Sequence, residues 1–355
     1  MRPSTRQILL WLPFAVMAGV GVARGIAGPG WGLATMVVVG PALAAVAGHT
    51  RRTVAAGAVA VAICLLDAAF FEPPADYRAA WVAVAAIAVI TAIGVMTSRA
   101  RERHERELAQ VTLIAETVQQ VLLQPVPSQV GPLRLTARYL SATSGARVGG
   151  DLYGAVTTPD GLRLIIGDAV GKGLPALRRA ATVLSAFREA APSEPDLSAV
   201  VCRIERSLAR ELGDEQFVTA ALAEVNADAT KLELLNCGHP PPLLLGTVPP
   251  QPIGGPHGSL PLGLADLADE PRTAVTIELA PSSQVLFYTD GATEARDKAG
   301  TFFPLTTCQS LTGRPDSATL LDRLSHELIG HLNKPPNDDV ALLLLYRDSR
   351  EMACT

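Results

Sequence analysis

Four long apolar runs crowd the first 98 residues of this chain, near positions 7–24, 31–48, 53–71 and 79–97. Each has about the length that crosses a bilayer core. Such a run restricts the backbone to helix, because hydrocarbon offers no partner for an open N–H or C=O. Charge is kept to the connections. Arg2 and Arg6 precede the first run, Arg51 and Arg52 separate the second from the third, and Arg99, Arg101, Arg103 and Arg106 follow the fourth. The other two connections hold Arg24 and, in "DAAFFEPPADYR", three acids with one Arg. The positive-inside rule then predicts a multi-pass segment of the cytoplasmic membrane, a lipid bilayer around residues 1–98, and both termini in the cytoplasm. A cleaved signal fits poorly, since three more runs follow the first. A buried helical core fits less well than a membrane region: Asp67 is the one charge inside runs two to four, and it lies near an end where it can face headgroups.

Composition agrees with a chain partly in lipid. Apolar residues make up 48 % and the mean hydropathy is positive. The net charge of −4 supplies no footprint for nucleic acid. Five scattered cysteines without a CxxC pair make neither a zinc site nor a disulfide framework.

Residues 99–124 change character. Leu108, Val111, Ala115, Val118 and Leu122 recur at alternating steps of three and four, a seam of about two heptads on a linker helix. The seam suits a short coiled coil that joins two copies as a homodimer, or a helix packed on the next domain. Pro125 and Pro127 end it. Residues 125–347 then read as one cytoplasmic α+β domain, with residues 348–355 as a tail. Strand-like runs ("LRLTARYL", "GLRLIIGDAV") precede two amphipathic helices. Six further strand-like runs follow, with a helix at 317–332 before the last. That order departs from regular βαβ alternation and predicts a sandwich of mostly antiparallel sheets with helices outside. Residues 246–263, rich in Gly and Pro, are expected to form a surface loop.

Acidic residues mark the ends of several strands. Asp151 follows Gly149 and Gly150, Asp168 ends "LIIGDAVGKG", Asp290 ends "VLFYTDGATEA", and Asp338 and Asp339 open "NDDVALLLL". A single carboxylate there is commonly a turn or cap residue. Four together suggest convergence, which like charges resist unless a cation joins them. An all-oxygen set suits Mg²⁺ or Mn²⁺, and two such ions form a clamp for phosphate-ester hydrolysis.

"GGDLY", "GDAVGKGLPA", "NCGHPPPLLL", "YTDGATEARD" and "DDVALLLL" occur in the order seen in metal-dependent protein Ser/Thr phosphatases of the PPM type. Over roughly residues 120–347 the chain resembles their stage II sporulation protein E-like branch, which includes phosphatases regulating stress-response sigma factors. The resemblance implies a four-layer α-β-β-α sandwich with two Mn²⁺ or Mg²⁺ ions in a cleft at one edge. By motif, Asp168 would bridge both ions, the Ala169 carbonyl would contribute to one, Asp290 and Asp338 would each hold an ion, and Asp151 would act through water. Asp339 is a lesser candidate ligand. A hydroxide held by the ions would attack phosphorus, so no side chain serves as nucleophile. Gly150, Lys172, His239, Gly291 and Glu294 are candidates for supporting or substrate-facing roles. For Lys172 the competing reading is a solvated turn residue, and for His239 a loop-orienting one. The family's last motif commonly carries Thr where Ala341 stands here, and "SSQ" (282–284) replaces a Gly-Asp pair; neither removes a proposed ligand. With the apolar runs anchoring the chain, the resemblance implies a phosphatase acting on a phosphorylated STAS-type anti-sigma-factor antagonist. The alternative is a membrane receptor or scaffold whose phosphatase-like domain only binds.

Overall fold

The computed structural model describes residues 5–27, 33–46, 49–71, 77–141, 149–210, 216–246, 249–254, 259–267, 271–311, 317–332 and 338–349. They form two compact units, Met1–Gln110 and Val111–Thr355.

The first unit holds helices α1 (Thr5–Ala27), α2 (Val39–Val46) and α3 (Thr50–Phe71), and the start of α4 (Tyr77–Leu122). Two stretches among the described residues are long and apolar enough to cross a membrane, Thr50–Phe70 and Ala80–Val111. Trp11–Ala23 and Met36–Val46 are apolar but shorter. Among the described residues, two of the four expected bilayer-length helices are thus found. The second run divides into a 3-10 segment, Leu33–Val38, and the short α2, whose first turn contains Pro41. Lacking an N–H, proline belongs in a first turn rather than an interior. Small residues let these helices approach closely. A methyl on Gly57 would lie 2.5 Å from Thr91 Cγ2, and one on Gly94 2.9 Å from Ala45 Cβ. Thr53 Oγ1 and Ser98 Oγ meet at 3.4 Å.

The linker read at 99–124 is helical but has no boundary at 98. It continues the fourth run as the single 46-residue α4. The apolar-to-charged change at Arg99 alters the surroundings, whereas "RARERHERELAQ" keeps strong helix formers throughout. Of the proposed seam, Leu108, Val111 and Val118 are exposed, while Leu122 packs on Leu177.

The second unit is built on two antiparallel sheets. One has the order β1-β2-β11-β10-β7-β8: β1 (Gln129–Val130), β2 (Leu133–Leu140), β7 (Leu243–Leu245), β8 (Gln251–Pro252), β10 (Gln284–Tyr288) and β11 (Val340–Arg347). The other runs β3-β4-β5-β6-β9: β3 (Asp151–Thr158), β4 (Gly161–Ala169), β5 (Val218–Asn226), β6 (Lys231–Cys237) and β9 (Val275–Glu278). Helices α5 (Leu174–Ala190) and α6 (Leu197–Leu208) follow β4; α7 (Asp290–Thr293) follows β10 and α8 (Ser317–Leu332) precedes β11. The segment expected to be loop, 246–263, contains β8; its residues 247–248 and 255–258 lie outside the described ones.

Period-two alternation sorts the side chains into layers. From β4, Leu162, Leu164 and Ile166 enter the core between the sheets, with Ala341, Leu343 and Leu345 of β11 opposite. Ile165 faces the other way, into the core shared with Val183, Phe187 and Ile204 of α5 and α6. Leu342 and Leu344 pack with Leu320, Leu324 and Leu328 of α8. Both faces of β11 are thus covered, which is why "VALLLLY" is apolar at every position but its last. Arg163 is the exception in β4. Nearly fully buried, it donates to Glu224 Oε2 at 2.9 Å and to the carbonyls of Ala191, Glu194 and Pro195, pinning the α5–α6 connection to the sheet.

Candidate metal centre

The strand register assembles the site. In the antiparallel β3–β4 pair, Asp151 lies directly opposite Asp168, so both carboxylates project on one face. The ladder continues past the strand, with Ala169 N–H donating to Gly150 O at 3.1 Å. From the other sheet, β10 ends at Tyr288 and Asp290 opens α7. One carboxylate oxygen from each of Asp151, Asp168 and Asp290 lies within 4.8 Å of the others.

Burial and mutual repulsion both act on this cluster. Burial, then the Asp168 charge, holds Asp151 well above the usual carboxylate range, opposed by a hydrogen bond from Thr289. Burial pushes Asp168 up to about 7, with Asp290, Asp338 and Asp339 adding to it. Asp290 is raised by burial and by the charges of Glu294 and Asp338. A cation placed among them removes the repulsion and favours the ionised forms.

The residues present fit a hard divalent ion. The donor set is all oxygen, as Mg²⁺ and Mn²⁺ prefer. Gly150 leaves a cradle in it: a Cβ there would lie 2.2 Å from Ala169 O and 2.7 Å from Asp168 Oδ1, so both oxygens converge over that glycine. Gly291 is equally constrained, since a Cβ would lie 2.0 Å from Asp339 O.

The remaining sequence-predicted residues take separate places. Asp338 is exposed, and its Oδ2 accepts from Lys172 Nζ at 2.8 Å. Lys172 therefore spans from the glycine-flanked turn after β4 to the start of β11 instead of standing free in solvent. The turn is possible because Gly171 and Gly173 adopt φ of +90° and +80°. Asp339 is buried and accepts from the Tyr139 hydroxyl at 2.6 Å. Glu294 is exposed, one helical turn after Asp290. His239 is buried, and burial pushes its imidazole down to about 3, so it is neutral near pH 7. Its Nε2 lies 3.1 Å from Tyr288 O and its Nδ1 3.1 Å from Thr219 Oγ1. Nε2–H donates to the carbonyl and Nδ1 accepts, which clips β5 to the end of β10. Held at both ring nitrogens, His239 ties its loop to β5 and to the end of β10.

Sequence reasoning missed Thr289. Its Oγ1 donates to Asp151 Oδ2 at 2.7 Å and accepts from Ala341 N–H at 2.9 Å, binding three segments at a fully buried point. Its place inside "YTDG", beside Asp290, was the available signal. Tyr139 had none, because its partner is 200 residues away.

Comparison with known proteins agrees with this architecture. RsbU of Bacillus subtilis (strain 168), a phosphoserine phosphatase, is 25 % identical over 205 residues, covering 55 % of this chain and 57 % of that protein. The chain thus spans little more than half the length of this relative. Among solved structures, the RsbU and RsbW domains of Rv1364c from Mycobacterium tuberculosis superpose with a TM-score of 0.50 at 25 % identity, over 64 % of this chain and 63 % of that one. The SiaA-PP2C domain of Pseudomonas aeruginosa gives 0.55 at 17 % identity, over 70 % and 99 %. Two antiparallel sheets flanked by helices are thus the PP2C fold. Residues 158–348, more than half of the sequence, match the family described as Stage II sporulation protein E (SpoIIE). The chain belongs to the SpoIIE family.

Proposed function

We propose that this chain is a metal-dependent protein phosphatase that hydrolyses phosphoserine or phosphothreonine on a signalling protein at the cytoplasmic membrane. The observation that carries the reading is the convergence of Asp151, Asp168 and Asp290 at the edge of a PP2C-type sandwich. The cofactor is a pair of Mn²⁺ or Mg²⁺ ions. When bound, they activate water at neutral pH and offset charge on the phosphoryl oxygens. The side chains are assigned the following roles. Asp168, paired across the ladder with Asp151, would hold the metal centre, with the Ala169 carbonyl beside it. Asp151 and Asp290 hold the flanks. Asp338 would hold an ion from the start of β11, and Lys172, on its glycine-flanked turn and within reach of Asp338, would meet the substrate's phosphate. His239 holds the scaffold, joining β5 to the end of β10.

For the rest of the molecule, residues 1–98 form a four-helix membrane region with cytoplasmic termini, supported by the apolar runs and the arginine-rich connections. Residues 99–124 link it to a phosphatase domain at 125–347, and 348–355 are a tail. The exposed seam positions Leu108, Val111 and Val118 join two copies. The substrate is a phosphorylated STAS-type anti-sigma-factor antagonist, as the motif resemblance implies; RsbU, described as a phosphoserine phosphatase, agrees with a phosphoserine substrate. The reading is tested with purified chain, a phosphoserine protein of this class and titrated Mn²⁺. Phosphate release that follows Mn²⁺ supports it; release that ignores Mn²⁺ removes it.

A further inference from the structure

Asp339 lies outside the group formed by Asp151, Asp168 and Asp290, yet the segments that carry Asp151 and Asp290 both lean on it. Its Oδ2 lies where a side chain on Gly149 would go: a Cβ there would be 1.8 Å away, and Gly149 leads directly into Gly150 and Asp151. Its carbonyl oxygen presses on Gly291, next to Asp290, leaving 2.0 Å for a Cβ. Its N–H donates to Asp338 Oδ1 at 3.1 Å. The carboxylate is held in turn. Tyr139, paired with Ala341 across the β2–β11 ladder, donates its hydroxyl to Asp339 Oδ2 at 2.6 Å. Gln119 Nε2 donates to that same hydroxyl from the buried face of α4. Gly149 leaves room for the Asp339 carboxylate and Gly291 for its carbonyl, and a three-residue hydrogen-bond chain holds the carboxylate.

We propose that Asp339 is the positioning residue of the metal centre. Its carboxylate and carbonyl set the spacing between the Asp151 and Asp290 segments, and Tyr139, braced by Gln119, holds the carboxylate in place. The inference rests on the metal-site reading above but needs no particular substrate. Outer partners of this kind typically change metal affinity 10–100-fold when removed.

The test uses the full-length chain in detergent, with Mn²⁺ binding followed by the electron paramagnetic resonance signal of the free ion. Metal-free thermal unfolding is measured in parallel. Tyr139→Phe is expected to weaken Mn²⁺ binding on the order of 10-fold or more while its metal-free Tm stays within a few degrees of the parent. Asp339→Ala weakens binding at least as much, and the pair together no further than the worse single variant. Asp339→Asn, which keeps the shape and an accepting oxygen, restores most of the affinity. Equal losses for Asn and Ala mark Asp339 as a direct ligand and overturn the proposal, as do additive losses or unchanged binding in Tyr139→Phe. If Tyr139→Phe does not fold, Gly149→Ala, which drives a methyl into Oδ2, must show the same loss, and unchanged affinity there also overturns it. Failure to release phosphate from any phosphoprotein, with these binding results intact, removes the phosphatase reading alone.

Discussion

Replacing Asp168 with Asn is expected to make the metal-free protein more stable above neutral pH, although it destroys the centre. An aspartate in the unfolded chain titrates near 3.8, and burial among acids pushes Asp168 up to about 7. Between these values the folded state binds more protons than the unfolded one. The stability that the neutral carboxyl allows is complete below about pH 4 and is lost as pH rises through about 7. At roughly 1.4 kcal/mol per pH unit the gap amounts to at most about 4 kcal/mol, and sharing protons with Asp151 and Asp290 lowers this to about 2–4 kcal/mol. Asn carries no charge at any pH, so the variant escapes the loss. For a domain of this size the difference corresponds to a Tm higher by roughly 5–12 °C at pH 8 without metal, and to near equality at pH 4. Thermal unfolding of a Val111–Thr355 fragment, followed by far-UV circular dichroism from pH 4 to 8 in chelator, measures both limits. Adding Mn²⁺ should raise the parent's Tm at pH 8 and leave the variant's nearly unmoved. A parent whose Tm is flat with pH, or a variant no more stable than the parent at pH 8, refutes the electrostatic argument.

Three other changes probe the structure around the cluster. Gly150→Ala forces a methyl to 2.2 Å from Ala169 O. Mn²⁺ binding by calorimetry should fall at least about 10-fold, with about 1–3 kcal/mol of destabilisation from overpacking. Thr289→Val strips Asp151 of its donor and Ala341 N–H of its acceptor; urea denaturation should show a loss of about 2–4 kcal/mol and a weaker response to Mn²⁺. Arg163→Met leaves Glu224 and three carbonyls without their buried cation. A loss of about 3–5 kcal/mol in the same assay is expected, with Mn²⁺ affinity unchanged.

The acidic site was readable in sequence because each carboxylate carried a local mark. Asp151, Asp168 and Asp290 stand at strand ends beside or near glycine, where the chain must turn and approach closely. Their supports carried no such mark. Tyr139 reads as one more position of an alternating strand, and its role depends on a β2–β11 pairing between segments about 200 residues apart. Lys172 read as solvated because the turn's glycines gave its reach but not its target, Asp338. The strands of the second unit were legible wherever one or both faces are apolar, while β3 is masked by Gly149, Gly150, Gly154 and two threonines. In the first unit, apolar length alone marked the four runs. It could not show that the second divides at Val38 into a 3-10 segment and the short α2, or that the fourth continues unbroken through Leu122.

The account stands most directly on one measurement: phosphate release from a phosphoserine protein by the full-length chain, with Mn²⁺ titrated, beside Asp168→Asn. The account predicts turnover that rises with Mn²⁺, disappears in chelator and falls by at least about 100-fold in the variant. Turnover that survives chelation, or an Asp168→Asn variant as active as the parent, would contradict it.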